Sequence, residues 1–260
     1  MFPLVPALTM AFWRMILASA MLWVYGVIKK PRPLNNNSIK EVALAGVFLG
    51  LHFACFFWGV RNSSIANATL LANTGPLFTV GLTFLLYRKI SKKVFFPLFI
   101  SLLGVFLIQR EGFNVLSNNF LGNIVSLFSA FCIAVVYMIA KQVREKNNTV
   151  AYGRSLFFFA SMTIALVCLI MDVSLFDFER KHIPWFLFLG FVPSILGHNS
   201  LNYAVKFLSP TAIASVPLGE PLIASFLGWF LISEKIPSTS IQGAPFVIFG
   251  IYFIIKNSKK

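Results

Sequence analysis

Long apolar runs joined by short polar links constrain this chain more than any other feature. A bilayer core about 30 Å thick is crossed by ~20 helical residues. Nine stretches fit that requirement: 5–27, 41–60, 64–87, 94–109, 120–140, 153–171, 184–205, 210–232 and 240–255. Charge is too sparse for another solvent. Of 260 residues, 12% are charged, 58% are apolar and 30 are Phe, whereas a soluble domain carries about a quarter charged residues. A mean hydropathy of +0.81 also excludes disorder, coiled coils and collagen-like repeats. The sequence predicts an all-α polytopic membrane protein with nine spans.

The first span does not read as a cleaved signal peptide. Ala18-Ser19-Ala20 imitates a cleavage site, but Arg14 interrupts the run and no polar mature domain follows. The net charge of +14 has a membrane explanation. Nucleic-acid binding needs basic residues gathered on one solvated face; here they sit in short blocks between apolar runs. Alternate connections and the tail hold sixteen basic residues, the opposite side five, and Arg14 lies within a span. Basic loops are retained in the cytoplasm, which puts the carboxyl terminus inside. Cys55, Cys132 and Cys168 lie in apolar runs without metal-ligand spacing, so buried thiols are expected.

The chain repeats itself at an offset of 146 residues, which pairs His52 with His198, Ala66 with Ala212, Lys89 with Lys235 and Gly104 with Gly250. Pro76 and Pro221 match with a one-residue slip, which a helix break could absorb. Paired His, Gly and Pro matches exceed what apolar composition alone produces. Five spans in the second half against four in the first leave the span at 120–140 without a partner. An odd number of spans per repeat inverts one half relative to the other. The loop charges agree, since RKISKK (88–93) is basic and SEKIPS (233–238) is neutral. Inverted repeats are a frequent plan of secondary transporters.

Several segments carry a resemblance. NYAVKFLSPTAIASVPLGEPLIASFLGWFLISEKIP and QGAPFVIFGIYFIIK, with Glu220-Pro221, Glu234, Gly243 and Gly250, resemble the second module of the drug/metabolite transporter superfamily, EamA type. FWRMILASAML and ANATLLANTGPLFTVGLTFLL resemble its second and fourth helices. The resemblance implies an inverted repeat of two five-helix modules, here 1–110 and 120–257, the first lacking its first helix. Either that helix is missing or the true start lies upstream of Met1. Arg88-Lys89 stands where the module usually carries a Glu. The resemblance further implies transport of small metabolites, often amino acids and frequently outward.

Chemistry in such a chain is sought at polar groups within spans. Glu220 lies mid-span, where a charge costs about 2.5–3.5 kcal/mol on insertion scales. Pro217, Gly219 and Pro221 surround it, and Asn73-Thr74-Gly75-Pro76 occupies the corresponding place in the first half. Interrupted helices at matching positions point to a midplane binding site. The bland alternative is a Glu that only bonds a neighbouring helix. Ser194, His198 and Asn202 fall at i, i+4 and i+8 and make one polar stripe, widened by Asn199 and Tyr203. His52 and His198 read equally as substrate or proton-relay groups and as interhelical hydrogen bonds. A bis-histidine haem rests on one symmetric pair, too little to carry it, and no cofactor is expected. Arg14 reads as a carboxylate clamp, a partner of Glu220, or a packing and snorkelling residue. Asn67, Tyr137 and Lys141 are weaker candidates. Gly46 and Gly50, opposite His52, predict close helix packing.

No nucleophile elbow, zinc-helix motif, phosphate loop or metal-binding carboxylate cluster is present. The expected function is a secondary transporter exporting small metabolites across a bacterial cytoplasmic membrane. Its partners would be a small-molecule substrate, the lipid bilayer and protons as coupling ion, with a homodimer compatible and nucleic acid excluded. The alternatives are a non-transporting scaffold or degenerate transporter and, behind it, a membrane enzyme.

Overall fold

The computed structural model describes residues 5–88, 92–112 and 120–258. The helices are α1 (Ala7–Lys29), α2 (Ile39–Arg61), α3 (Ile65–Ala72), α4 (Gly75–Tyr87), α5 (Lys92–Gln109), α6 (Phe120–Lys146) and α7 (Thr149–Ile170). They continue with α8 (Ile183–Leu189), α9 (Asn199–Ala204), α10 (Pro210–Ser215), α11 (Glu220–Ile232) and α12 (Ser238–Ser258). Among the described residues, eight helical segments are long and apolar enough to cross a bilayer.

The ninth expected span, 184–205, departs from a regular α-helix. It winds from Ile183 to Ala204, but Gly190–His198 between α8 and α9 is π-helical. Pro193 is the local cause, because it cannot donate to the carbonyl four residues back. That carbonyl, on Leu189, accepts a 3.0 Å bond from the Ser194 hydroxyl instead. Ser194 and His198 still share one neighbourhood, around Arg14 and Phe53, and Asn202 follows on α9, buried.

Two compact units form, and each takes part of both sequence halves. Unit 1 comprises 1–58 and 135–206; unit 2 comprises 59–134 and 207–260. In unit 1, α1 packs along α7. Met15, Ala18 and Leu22 of α1 are buried, as are Tyr152, Leu156, Phe157, Ala160 and Ile164 of α7. Gly46 and Gly50 let α2 approach α7: a methyl group at Gly50 would stand 2.8 Å from the Ala160 carbonyl oxygen. The close packing expected of that pair is present.

In unit 2, α5 packs along α12 in reciprocal fashion. A methyl group at Gly104 would stand 2.9 Å from the Gly243 carbonyl oxygen, and one at Gly250 would stand 2.5 Å from that of Pro97. The 146-residue offset converts one contact into the other, so the two helices run antiparallel about a local twofold. The repeat is inverted, and its seam is visible here. Val94, Leu98, Val105, Ala212, Leu218, Val247 and Ile254 form the core of the unit.

The one-residue slip is absorbed elsewhere than expected. Ser64 and Ser209 cap α3 and α10, Gly75 and Glu220 begin α4 and α11, and left-handed Arg88 and Ser233 end them. Each of these pairs is offset by 145 residues, whereas Lys92 and Ser238, which begin α5 and α12, are offset by 146. The extra residue thus lies in the connection after α11, and the helix breaks themselves correspond.

Candidate functional site

Unit 2 contains the paired breaks. Pro217 and Pro221 have no amide hydrogens for the carbonyls of Ile213 and Pro217, four residues back. Those oxygens accept from the N–H groups of Val216 and Glu220, one residue nearer. The shorter bonds tighten Val216–Gly219 into a 3₁₀ turn. Glu220 follows as the first residue of α11, its side chain exposed. The matching turn of the first half is held by 3.1 and 2.9 Å bonds from the Thr74 and Leu77 amides to the Leu71 and Thr74 carbonyls. Asn73 ends α3 half-buried, and Pro76 is buried in the first turn of α4. Behind the first break, the Thr79 hydroxyl bonds the Pro76 carbonyl at 2.7 Å and lies 3.1 Å from the Thr211 hydroxyl.

Unit 1 gathers Arg14, His52 and His198. Arg14, half-buried on α1, donates from Nε to the Ser194 hydroxyl at 2.8 Å and from a terminal nitrogen to the Pro193 carbonyl at 3.5 Å. Its guanidinium lies 4.7 Å over the Phe53 ring. That ring meets His198 edge-on at 5.4 Å and His52 edge-on at 5.0 Å. Phe53 therefore links all three candidate residues, and composition gave no reason to select it among 30 phenylalanines. The π-helical segment supplies both oxygens that orient Arg14. A guanidinium with one face on a ring keeps donors in its plane for a carboxylate.

Asn202 and Tyr203 belong to a different neighbourhood. Arg144, near the end of α6, is buried and donates from Nε to the Asn202 carbonyl at 3.0 Å. Its terminal nitrogens reach the Asn147 carbonyl and the Thr149 hydroxyl. Asn147 in turn donates to the Ser38 hydroxyl at 3.1 Å and accepts from the Asn35 amide at 2.8 Å. Asn202 thus enters through its backbone, while its side chain is buried; Tyr203 is 56% exposed. Lys141 donates to the carbonyls of Val205 and Lys206 at 3.0 Å each, just past the end of α9. In the sequence, Arg144 is one of the sixteen basic residues of the cytoplasmic connections. The cue was its place one turn before the Asn147-Asn148-Thr149 cap, where Asn148 accepts from the Val150 amide. Asn67 and Tyr137 are buried. No group of three or more His, Cys, Asp or Glu able to hold a metal occurs among the described residues.

The profile of the EamA-like transporter family matches residues 2–110 and 120–256. The chain is 23% identical over 256 residues to the pseudopaline exporter CntI of Pseudomonas aeruginosa, across 98% of this chain and 88% of that protein. It is 22% identical over 205 residues to an uncharacterized transporter of Archaeoglobus fulgidus, across 79% of this chain and 72% of the relative. A crystal structure 13% identical in sequence superposes with a TM-score of 0.82, over 98% of this chain and 89% of the other, which shows a shared fold. This multi-pass membrane protein belongs to the EamA-like transporter family, and it is a transporter rather than an enzyme.

Proposed function

We propose that the chain is a secondary transporter exporting small polar or amphipathic metabolites, such as amino acids, across a bacterial cytoplasmic membrane, with its carboxyl terminus in the cytoplasm. The observation that carries this reading is the pair of helix breaks at corresponding positions of the two halves, one of which presents Glu220. Breaks of that kind build midplane binding sites. Arg14, with His52, His198 and Phe53, supplies a second set of polar groups within spans, suited to a carboxylate-bearing substrate. A relative named as an exporter supports the outward direction. Asn73, Tyr203 and Asn202 are accessory in this reading.

Glu220 carries the coupling proton in the proposed cycle. The test is flux in proteoliposomes with and without a proton gradient, using amino acids as the first substrate panel. Glu220→Gln should abolish gradient-driven flux and largely spare exchange between equal pools, because the amide fixes the neutral state without changing shape. An unchanged pH profile from pH 5 to 8 in that variant removes Glu220 from the mechanism. Absence of flux by the wild type across the panel removes amino acids as the substrate class. Orientation is checked separately, with an impermeant label at the carboxyl terminus of intact cells; labelling there reverses the topology.

A further inference from the structure

We propose that unit 1 binds the phosphate of an anionic phospholipid headgroup in the seam between α1 and α7, with Arg154 as its principal ligand. Arg154 is the sixth residue of α7, and Trp23 lies six residues before the end of α1. Each is therefore roughly 8–9 Å inside its helix end at 1.5 Å per residue, a level from which a long cationic side chain can snorkel to the headgroups. The Arg154 guanidinium stacks 3.9 Å over the Trp23 ring, and that tryptophan is 48% exposed. Gly26 makes room for it, since a methyl group there would stand 2.9 Å from an Arg154 terminal nitrogen.

The guanidinium differs from the other cations of the unit that are buried or half-buried. Arg144 and Lys141 donate to protein oxygens, whereas among the described residues the Arg154 side chain makes no hydrogen bond, and its Nε is closed to solvent. Its backbone carbonyl is engaged, accepting from Ser19 at 2.7 Å, so the segment is fixed while no protein acceptor among the described residues neutralises the cation. Stacking occupies only the face of a guanidinium and leaves in-plane donors with the geometry of a phosphate. Lys29 is exposed at the end of α1, Lys30 and Arg32 just beyond it and Lys40 at the start of α2, against Glu41 and Glu145 as the acids of that end. Tyr25, 47% exposed, is a second aromatic at that end of α1, on a different face from Trp23. Basic pockets between spans, rimmed by aromatic residues, suit anionic headgroups. Positive charge from Lys29 and Lys30 selects a net-negative lipid over a zwitterionic one. The site is independent of the transport reading, because none of its residues belongs to the Glu220 or Arg14 sets.

Native mass spectrometry of the full chain in detergent, titrated with phosphatidylglycerol, phosphatidylcholine or inorganic phosphate, tests the proposal. The wild type should retain phosphatidylglycerol in preference to phosphatidylcholine. Arg154→Gln should weaken phosphatidylglycerol binding about fivefold, the worth of one interfacial cation, and leave phosphatidylcholine binding unchanged. Equal phosphatidylglycerol affinity in Arg154→Gln and wild type overturns the proposal. So does displacement of the lipid by millimolar inorganic phosphate, which would mark a site for free phosphate. Should Arg154→Gln fail to fold, Arg154→Lys and Trp23→Leu decide the matter. The first keeps the charge without the planar fork and the second removes the stack; retention of the full lipid preference in both overturns the proposal as well.

Discussion

Arg144 illustrates what a cation must meet before a membrane protein can enclose it. Its Nε and both terminal nitrogens end on oxygens contributed by Asn202, Asn147 and Thr149. Through Asn147 the same residue steadies the segment around Asn35 and Ser38. Arg144→Met keeps much of the volume but leaves two carbonyls and a hydroxyl without their donor. At about 1–3 kcal/mol for a buried unsatisfied group, partly relieved by relaxation, the expected loss is about 2–4 kcal/mol. Thermal melting in detergent should fall by roughly 4–10 °C, and Arg144→Lys should fall between. A melting point within about 1 °C of wild type would mean the cluster contributes nothing. The exposed pair Lys181–Glu179, 2.8 Å apart, behaves differently. The Lys181 hydrogen bond and charge hold the Glu179 carboxyl below its ordinary range. A depressed carboxylate stabilises above its unfolded value and loses that contribution as pH falls through the folded one. Lys181→Gln should therefore lower melting slightly and by the same amount across pH 5 to 8, a small effect because the pair is exposed, and raise the Glu179 titration seen by NMR.

At the scale of helices, the glycine seam between α5 and α12 makes a sharp comparison. A methyl group at Gly250 would meet the Ser101 hydroxyl, the Pro97 carbonyl and the Ser101 amide, and backbone cannot move aside as a side chain can. Gly250→Ala should cost about 1–3 kcal/mol by overpacking. Gly104→Ala should cost a similar amount, since the twofold gives it an equivalent place. Gly81, on α4, has nothing within 4 Å of the same position, so Gly81→Ala should be neutral or stabilise by about 0.5–1 kcal/mol through helix propensity. Equal melting points for Gly81→Ala and Gly250→Ala would contradict the seam. Helix breaks at Asn73–Pro76 and Pro217–Pro221 were legible in the sequence because proline and glycine act locally on hydrogen bonding. The π-helical turn was less so. Pro193 predicts an interruption, but whether it ends a helix, kinks it or widens it depends on Ser194 and Arg14 reaching the exposed oxygens. Likewise Arg14 and the histidines stood out as polar groups in apolar runs, whereas Phe53 and the Arg144 cluster depend on which helices meet, and that is decided by shape over the whole unit.

At the scale of the whole chain, the two compact units do not follow the order of the sequence. Unit 1 needs α1 and most of α2 from the first half and the end of α6 with α7 to α9 from the second, while unit 2 needs α3 to α5 from the first and the start of α6 with α10 to α12 from the second. Each unit is centred on a pair of helices from different halves, α1 with α7 and α5 with α12. Neither half can therefore bury its own apolar seams by local contacts, as a self-contained domain would. In a bilayer, where helix association rests on close packing rather than on exclusion of water, a half without its partner should lack a defined structure. The expectation is that 1–112 and 120–260, expressed separately in cells, are each degraded, whereas co-expressed they accumulate and copurify through a tag on either one. Gly250→Ala in the second fragment should reduce recovery of the first, because the α5–α12 seam is the only hold modified. Accumulation of either fragment alone as a stable monomer would show that the halves fold independently. The interleaving would then be a late docking event rather than the basis of the fold.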